Sequence, residues 1–308
     1  MRLSIVIPCY NCAGTILSLL ESLWRQRDPL LEVILINDGS SDASERVIKS
    51  FIARHQQGNF NLYTTANAGA AAARTRGMML ACGEYLFFCD ADDAVAPDFV
   101  ITVLEQIAQQ PDLLYFSSVR VYGKGAQQRI SDKICFAEDR VWSDADGFLR
   151  WLLDRKAYTA AVWTYVFRRR LAQESDACFT PRKSHEDHLF TLRLIAHAAK
   201  IIVISKRLYF QYITEGSLTN SVKDGQYIDD RLSAFQEARK DMVQKFSQQA
   251  VALYAEWSVR SLISLCFSNP LAMIDSLLVQ RNLYLFIWRD RSHVSRTVKK
   301  MMYQRFLR

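Results

Sequence analysis

Short apolar runs alternate with amphipathic stretches through residues 1–118. Residues 3–7 and 32–36 are apolar runs closed by Pro8 and by Asp38-Gly39-Ser40, which predicts two strands. Between them Ile16, Leu19, Leu20, Leu23 and Trp24 recur at helical spacing. Ser41-Asp42 opens a second helix, with Val47, Ile48, Phe51 and Ile52 as its apolar face. Residues 60–64 predict a third strand, residues 70–80 an Ala- and Met-rich helix ended by Gly83, and residues 85–89 a fourth strand. This rhythm argues for an α/β fold whose sheet is mostly parallel and flanked by helices. Past Pro97 a helix runs to about 109, a strand follows over 113–121, and 123–129 reads as a turn. Periodicity weakens over 130–180. Residues 186–199 then look helical, 201–205 predict a short strand, and from about 227 the pattern is mainly helical, broken at Pro270.

Composition adds few constraints. The 308 residues, 50% hydrophobic and 23% charged, can bury a substantial core. Seven cysteines without a paired framework fit free thiols in a reducing compartment. Cys9 and Cys12 form a C-x-x-C, yet Cys9 closes an apolar run beside Pro8 and no second pair completes a zinc site, so packing is the expected role. No signal peptide is apparent, and no eighteen apolar residues run together. The net charge of +7 is concentrated: residues 281–308 hold eight Lys/Arg and one Asp, leaving the rest near neutral. A dedicated nucleic-acid binder would carry a broader basic face, so no specific nucleic acid is expected.

The candidate chemistry lies where strands end, the place ligands occupy on an open parallel sheet. Tyr85–Cys89 runs straight into Asp90, Asp92 and Asp93. Packed carboxylates repel one another, and hard oxygen ligands suit Mg²⁺ or Mn²⁺; Mg²⁺ is usually held by one or two carboxylates plus substrate phosphates. Pro8, Tyr10 and Asn11 follow the first strand, Asp38 the second, and Asn67-Ala68-Gly69 with Arg74 the third. Tyr10 could stack on a base, Asp38 could accept from a ribose, and the Arg74 fork suits a carboxylate or a phosphate. Each alone is an ordinary turn or surface residue; their convergence on one crevice is not. A second acidic site, Ser184-His185-Glu186-Asp187-His188, offers a carboxylate to serve as general base, or else is simply a helix start capped by Ser184 with Asp187 in the first turn. His185 and His188 raise a weaker metal reading, since nothing nearby supplies further ligands at the usual spacing.

In order along the chain, Ser4–Asn11, Glu32–Asp42, Asn67-Ala68-Gly69, Ala73-Arg74, Gly83-Glu84-Tyr85, Asp90-Ala91-Asp92-Asp93, Glu186–Phe190, Leu208-Tyr209 and Glu215–Thr219 resemble the blocks of family 2 glycosyltransferases, bacterial surface-polysaccharide type. The resemblance implies the GT-A fold, a Rossmann-like sheet, in a catalytic domain over 1–220, with a nucleotide half (about 1–118) and an acceptor half (about 119–220). A helical basic region, 221–308, would follow. It also implies inverting transfer from a nucleotide-diphosphate sugar, UDP-linked, to a hydroxyl of a glycan or lipid-linked acceptor. By analogy Pro8, Tyr10, Asn11, Asp38, Asn67, Arg74, Asp90 and Asp93 would bind the nucleotide-sugar, Asp92 the Mn²⁺ or Mg²⁺, and Asp187 would be the catalytic base with Glu186 in support. Thr75 and Tyr212 depart from the family's usual Asn and basic residue, so no phosphate contact is carried over to Tyr212. The alternative is a catalytically silent nucleotide-sugar or glycan-binding module, against which the three carboxylates Asp90, Asp92 and Asp187 argue. The apolar–aromatic run before Arg289, followed by basic residues to the end, suits an anionic membrane surface, or else a core helix with a solvated end. The expected location is cytoplasmic, peripheral on the inner face of the plasma membrane if that segment docks. Trp142, Trp151, Trp163 and Tyr158 are expected to be mainly core.

Overall fold

A computed structural model describes residues 2–56, 59–123, 128–213 and 223–276. Its first half follows the predicted rhythm: β1 (Leu3–Cys9), α1 (Ile16–Arg25), β2 (Leu31–Asp38), α2 (Ser44–Arg54), β3 (Phe60–Thr65), α3 (Ala70–Leu80) and β4 (Tyr85–Phe88). Then come β5 (Ala94–Val95), α4 (Phe99–Ile107), β6 (Leu113–Tyr122), β7 (Arg129–Ile134), β8 (Arg140–Trp142) and α5 (Ala145–Asp154). The remainder is β9 (Tyr165–Arg168), α6 (Arg169–Glu174), α7 (His188–His197), β10 (Ile201–Ile213), α8 (Gly225–Met242), α9 (Gln248–Ser268) and α10 (Pro270–Asp275).

The sheet runs β3-β2-β1-β4-β9-β6-β10-β5, with β7 added to β6 and β8 to β10. β1 pairs in parallel with both β2 and β4, and β2 with β3, so the predicted parallel half is present. β6 and β10 are also parallel, but β9 lies antiparallel between β4 and β6. Beyond β4 the sheet is therefore mixed. The four residues of β9 are too few to leave a periodic signal, and they run directly into α6.

Alternation along the central strands divides the core into two layers. On β1 and β4, Val6, Leu86 and Phe88 face one side, while Ile5, Ile7, Tyr85 and Phe87 face the other. Both faces are apolar because both are covered, as parallel strands require. The second layer packs on Leu19, Leu20 and Leu23 of α1 and on Phe99 and Val103 of α4. The first layer takes Ala73 of α3 and the apolar faces of α5, α7, α8 and α9. Small residues let α3 approach closely: a Cβ on Gly77 would lie 2.2 Å from Val6 Cγ1.

The predicted 201–205 strand extends to Ile213 after register shifts around Arg207, where exposed Ser205-Lys206-Arg207 interrupt the apolar run. The weakly patterned 130–180 region holds β7, β8, α5, β9 and α6, and its aromatics are core: Trp163 stacks on Tyr209 at 4.7 Å, and Trp151 on Phe136 at 5.5 Å. Among the described residues, α9 is long and apolar enough to cross a membrane, yet half of that stretch is buried against the fold. Leu208-Tyr209 closes the family-like blocks within the described residues; 215–219 and 281–308 lie outside them.

Candidate active site

The four strand-end loops interlock. Asp38, at the end of β2, accepts from the backbone N–H groups of Ala68 and Gly69, one to each carboxylate oxygen, both at 2.8 Å. Asn67 Nδ2 donates to the Asp38 carbonyl at 3.0 Å. Gly39 makes this junction feasible: it sits at φ +65°, and a Cβ there would stand 2.7 Å from the Asn67 nitrogen. Asn11, itself at φ +48°, accepts from Ser41 N at 2.9 Å and Asp42 N at 3.3 Å, and its own N–H donates to Ser40 Oγ at 3.0 Å. Asn11 and Asp38 thus knit the loops together, and Asp38 is only 4% exposed. Pro8 remains within β1, half-buried, while the Tyr10 ring stands out at 54% exposure with its face open for stacking.

Arg74 joins this crevice to the downstream acidic motif. It sits in the second turn of α3 and is buried, with Nη2 donating to Asp90 Oδ1 at 3.0 Å and Nη1 to Glu186 Oε1 at 2.6 Å. One guanidinium fork therefore holds carboxylates from loops 96 residues apart, one on each terminal nitrogen, a task a point charge cannot duplicate. Its charge is reinforced by Asp90, Glu186 and Asp187 against the burial that opposes it.

Asp187 follows Glu186 at the N-terminal edge of α7, where its carbonyl accepts from Thr191 N at 3.0 Å. Burial and the neighbouring Glu186 charge push its carboxyl up to about 7, with Arg74 pulling the other way. The expected Ser184 cap is not formed: Ser184 N and Oγ both donate to Asp230 Oδ2 at 3.2 Å, tying the motif to α8 instead. His185 and His188 lie among aromatic rings, and burial pushes both imidazoles far down, to about 2 and about 3. They stay neutral. Among the described residues no group of three or more His, Cys, Asp or Glu is arranged to hold a metal by itself.

The three carboxylates after β4 divide into different environments. Asp93 is buried, accepting from Tyr209 Oη at 2.6 Å and from Tyr212 N at 2.8 Å. Burial and Asp90 push its carboxyl up to about 8. Tyr209 Oη in turn accepts from Asp90 N at 3.2 Å, so one phenol fixes both ends of the acidic turn. Sequence reasoning named Tyr209 only within the Leu208-Tyr209 block and gave it no role; nothing local marks which of the two phenols of β10 meets the acidic turn. Asp92 has no side-chain partner among the described residues, and burial with the Asp90 charge raises its carboxyl as well. A solitary half-buried carboxylate beside Asp90 suits a divalent cation that takes its remaining oxygens from a diphosphate. Cys9 and Cys12 are buried free thiols, in line with packing.

The sequence profile of Glycosyl transferase family 2 matches residues 4–174, more than half of the chain. The chain belongs to this family. Among its relatives is the uncharacterized glycosyltransferase YibD of Escherichia coli, 30% identical over 228 residues, covering 73% of this chain and 65% of YibD. Another is the poly(ribitol-phosphate) beta-N-acetylglucosaminyltransferase TarS of Staphylococcus aureus, 26% identical, covering 68% of this chain but 35% of TarS. The chain thus spans less than two thirds of each. The structure of S. aureus TarS 1–349 in complex with UDP-GlcNAc superposes with a TM-score of 0.71 at 21% identity, covering 97% of this chain and 83% of the other. The fold is the GT-A arrangement of these glycosyltransferases, with a helical region at its C-terminal side.

Proposed function

We propose that this glycosyltransferase inverts the anomeric centre of a UDP-linked sugar as it passes to a hydroxyl of a glycan or lipid-linked acceptor, in the building of a surface polysaccharide. The observation that carries the reading is the Arg74 bridge, which brings the Asp90 turn and the Glu186-Asp187 motif to one place. UDP-GlcNAc bound to the TarS relative supports a nucleotide-diphosphate donor.

Tyr10 would stack on the base, and the interlocked loops of Asn11, Asp38 and Asn67 would shape the nucleoside pocket behind Pro8. Asp38 acts through loop geometry, since both of its oxygens are already engaged by backbone. Asp90 and Asp93, held by Arg74 and Tyr209, would set the face against which donor sugar and diphosphate rest. Asp92, with Asp90 beside it, would hold Mn²⁺ or Mg²⁺. When bound, such an ion supplies positive charge to the departing diphosphate. Asp187 would take the proton of the attacking hydroxyl. A carboxyl near 7 suits that work, because a base is most effective with its pKa close to the operating pH. Glu186 would keep Asp187 in position by anchoring the motif to Arg74.

The test is release of UDP from a panel of UDP-sugars, with Mn²⁺ or Mg²⁺ and with EDTA. Turnover of one donor that EDTA abolishes and Asp92→Ala lowers by at least about a hundredfold supports the assignment. Binding of donors without any turnover, in the presence of varied acceptors, would leave a silent binding module. No binding by folded protein would overturn the nucleotide-sugar reading.

A further inference from the structure

A cleft of ≈ 960 Å³ opens between the end of α5, the N-terminal half of α8, and α9, with Arg120 of β6 in its lining. Its described lining carries five cationic side chains against two carboxylates, of which Glu256 is already paired with Arg260 at 2.6 Å. Arg231 is the central cation. Its Nη2 donates to Ser261 Oγ, while its buried Nε has no hydrogen-bond partner. Burial lowers its pKa, which is the cost of holding a guanidinium there without a carboxylate paired to it among the described residues. Lys133, on β7, pairs with no carboxylate among the described residues. Burial together with the like charges of Arg120 and Arg231 pushes its ammonium down to about 8. Cations gathered this closely repel one another, and natural structures seldom leave them unbalanced unless an anion completes the site.

The cleft also presents aromatic surface. Tyr227 and Trp257 line it, and the Tyr227 ring lies 4.6 Å from His185, two residues from Asp187. Arg231 and Tyr227 both lie within electrostatic reach of the Asp187 carboxylate. Apolar ring faces beside Arg forks are the chemistry that grips a sugar residue and its attached oxyanion together.

We propose that this cleft is an acceptor subsite for an anionic glycan, with Arg231 and Arg120 receiving a phosphate or carboxylate group and Tyr227 and Trp257 a sugar ring. The assignment rests on Asp187 being the base, because Tyr227 and Arg231 are what tie the cleft to its carboxylate. The repulsion among the clustered cations is then relieved when the acceptor arrives, which couples acceptor charge to residence near the base. A neutral glycan would forgo that gain.

The experiment measures binding to the full chain by calorimetry, with an oligo(glycerol phosphate), an oligogalacturonate and a neutral maltohexaose as probes. UDP release from the donor panel is measured in parallel on wild type. Binding of either anionic oligomer at least about tenfold tighter than maltohexaose is expected, weakened about tenfold by Arg231→Gln and, independently, by Arg120→Gln. The stronger of the two anionic probes names the oxyanion. Thermal melts of both variants verify folding, and Arg120→Gln keeps the test usable if Arg231→Gln unfolds. Equal binding of charged and neutral oligomers, or anion binding that both folded variants retain, overturns the subsite. If UDP release is also absent from wild type, the reading of the Asp187 site has failed; if UDP release is present, only the subsite has.

Discussion

At the residue scale the site is defined by how differently its carboxylates are treated. Asp38 is consumed by two backbone N–H groups, Asp90 and Glu186 are neutralised by Arg74, and Asp93 is fixed by Tyr209 and Tyr212. Asp187 receives no such side-chain partner among the described residues and is instead raised by burial and Glu186. Asp92 and Asp93 are raised as well, but they lie in the turn after β4, so within the downstream motif the proposed base is Asp187. Asp187→Asn should lower turnover by about 10²–10⁴-fold while leaving UDP binding intact. In wild type, the rate should climb as pH rises through about 7 and then level off, because the deprotonated carboxylate is the active form. Stability should move the other way. A carboxyl raised in the folded state holds a proton that the unfolded chain releases, so its stabilising contribution is complete in acid and is lost as pH climbs through the raised value. Asp187→Asn should therefore melt above wild type at pH ~8, the reverse of its effect on turnover. Thermal melts across pH check this, and a wild type that melts higher at every pH would contradict it.

At the scale of elements, Arg74 is where α3, the turn after β4 and the approach to α7 are joined. Its side chain is 10% exposed and that of Glu186 13%, so the pair is well shielded, and removing the guanidinium strands both carboxylates. Arg74→Ala should cost about 3–5 kcal/mol. Arg74→Lys keeps the charge but cannot span both partners. It should recover part of the stability while turnover stays at least about tenfold down, as melting and donor-release kinetics would report. Arg74 and both acidic motifs were legible in the sequence because they stand at strand and helix ends. The pairing of Arg74 with Glu186 was not, since 112 residues separate them and no local pattern encodes which carboxylate a fork will meet. The same limit explains β9. A four-residue strand is placed by its neighbours β4 and β6, whereas β1, β2 and β4 declare themselves through unbroken apolar runs. Ser184 was misjudged as a cap for a related reason: its partner, Asp230, comes from α8.

At the scale of the whole molecule, charge is distributed in a way the catalytic fold does not need. Residues 1–280 are close to neutral, and 281–308 carry eight Lys/Arg against one Asp. Within the fold, α9 shows that an apolar helix here need not be a membrane element, because Tyr254, Val259, Leu262 and Ile263 are buried against their neighbours. The terminal basic stretch is a separate case, with aromatic and apolar residues set next to its positive charge. We propose that it draws the enzyme to an anionic leaflet, where a lipid-linked acceptor would be concentrated. Each basic residue near such a surface contributes about 1 kcal/mol, so several acting together give useful attraction that salt should weaken. Vesicle flotation of the full chain and of one lacking 281–308 separates the alternatives. The full chain should float with phosphatidylserine vesicles at low salt, less so at high salt, and not with neutral vesicles, and the deletion should abolish flotation while UDP binding persists. Equal flotation of the two chains would assign the basic stretch a role other than membrane attachment.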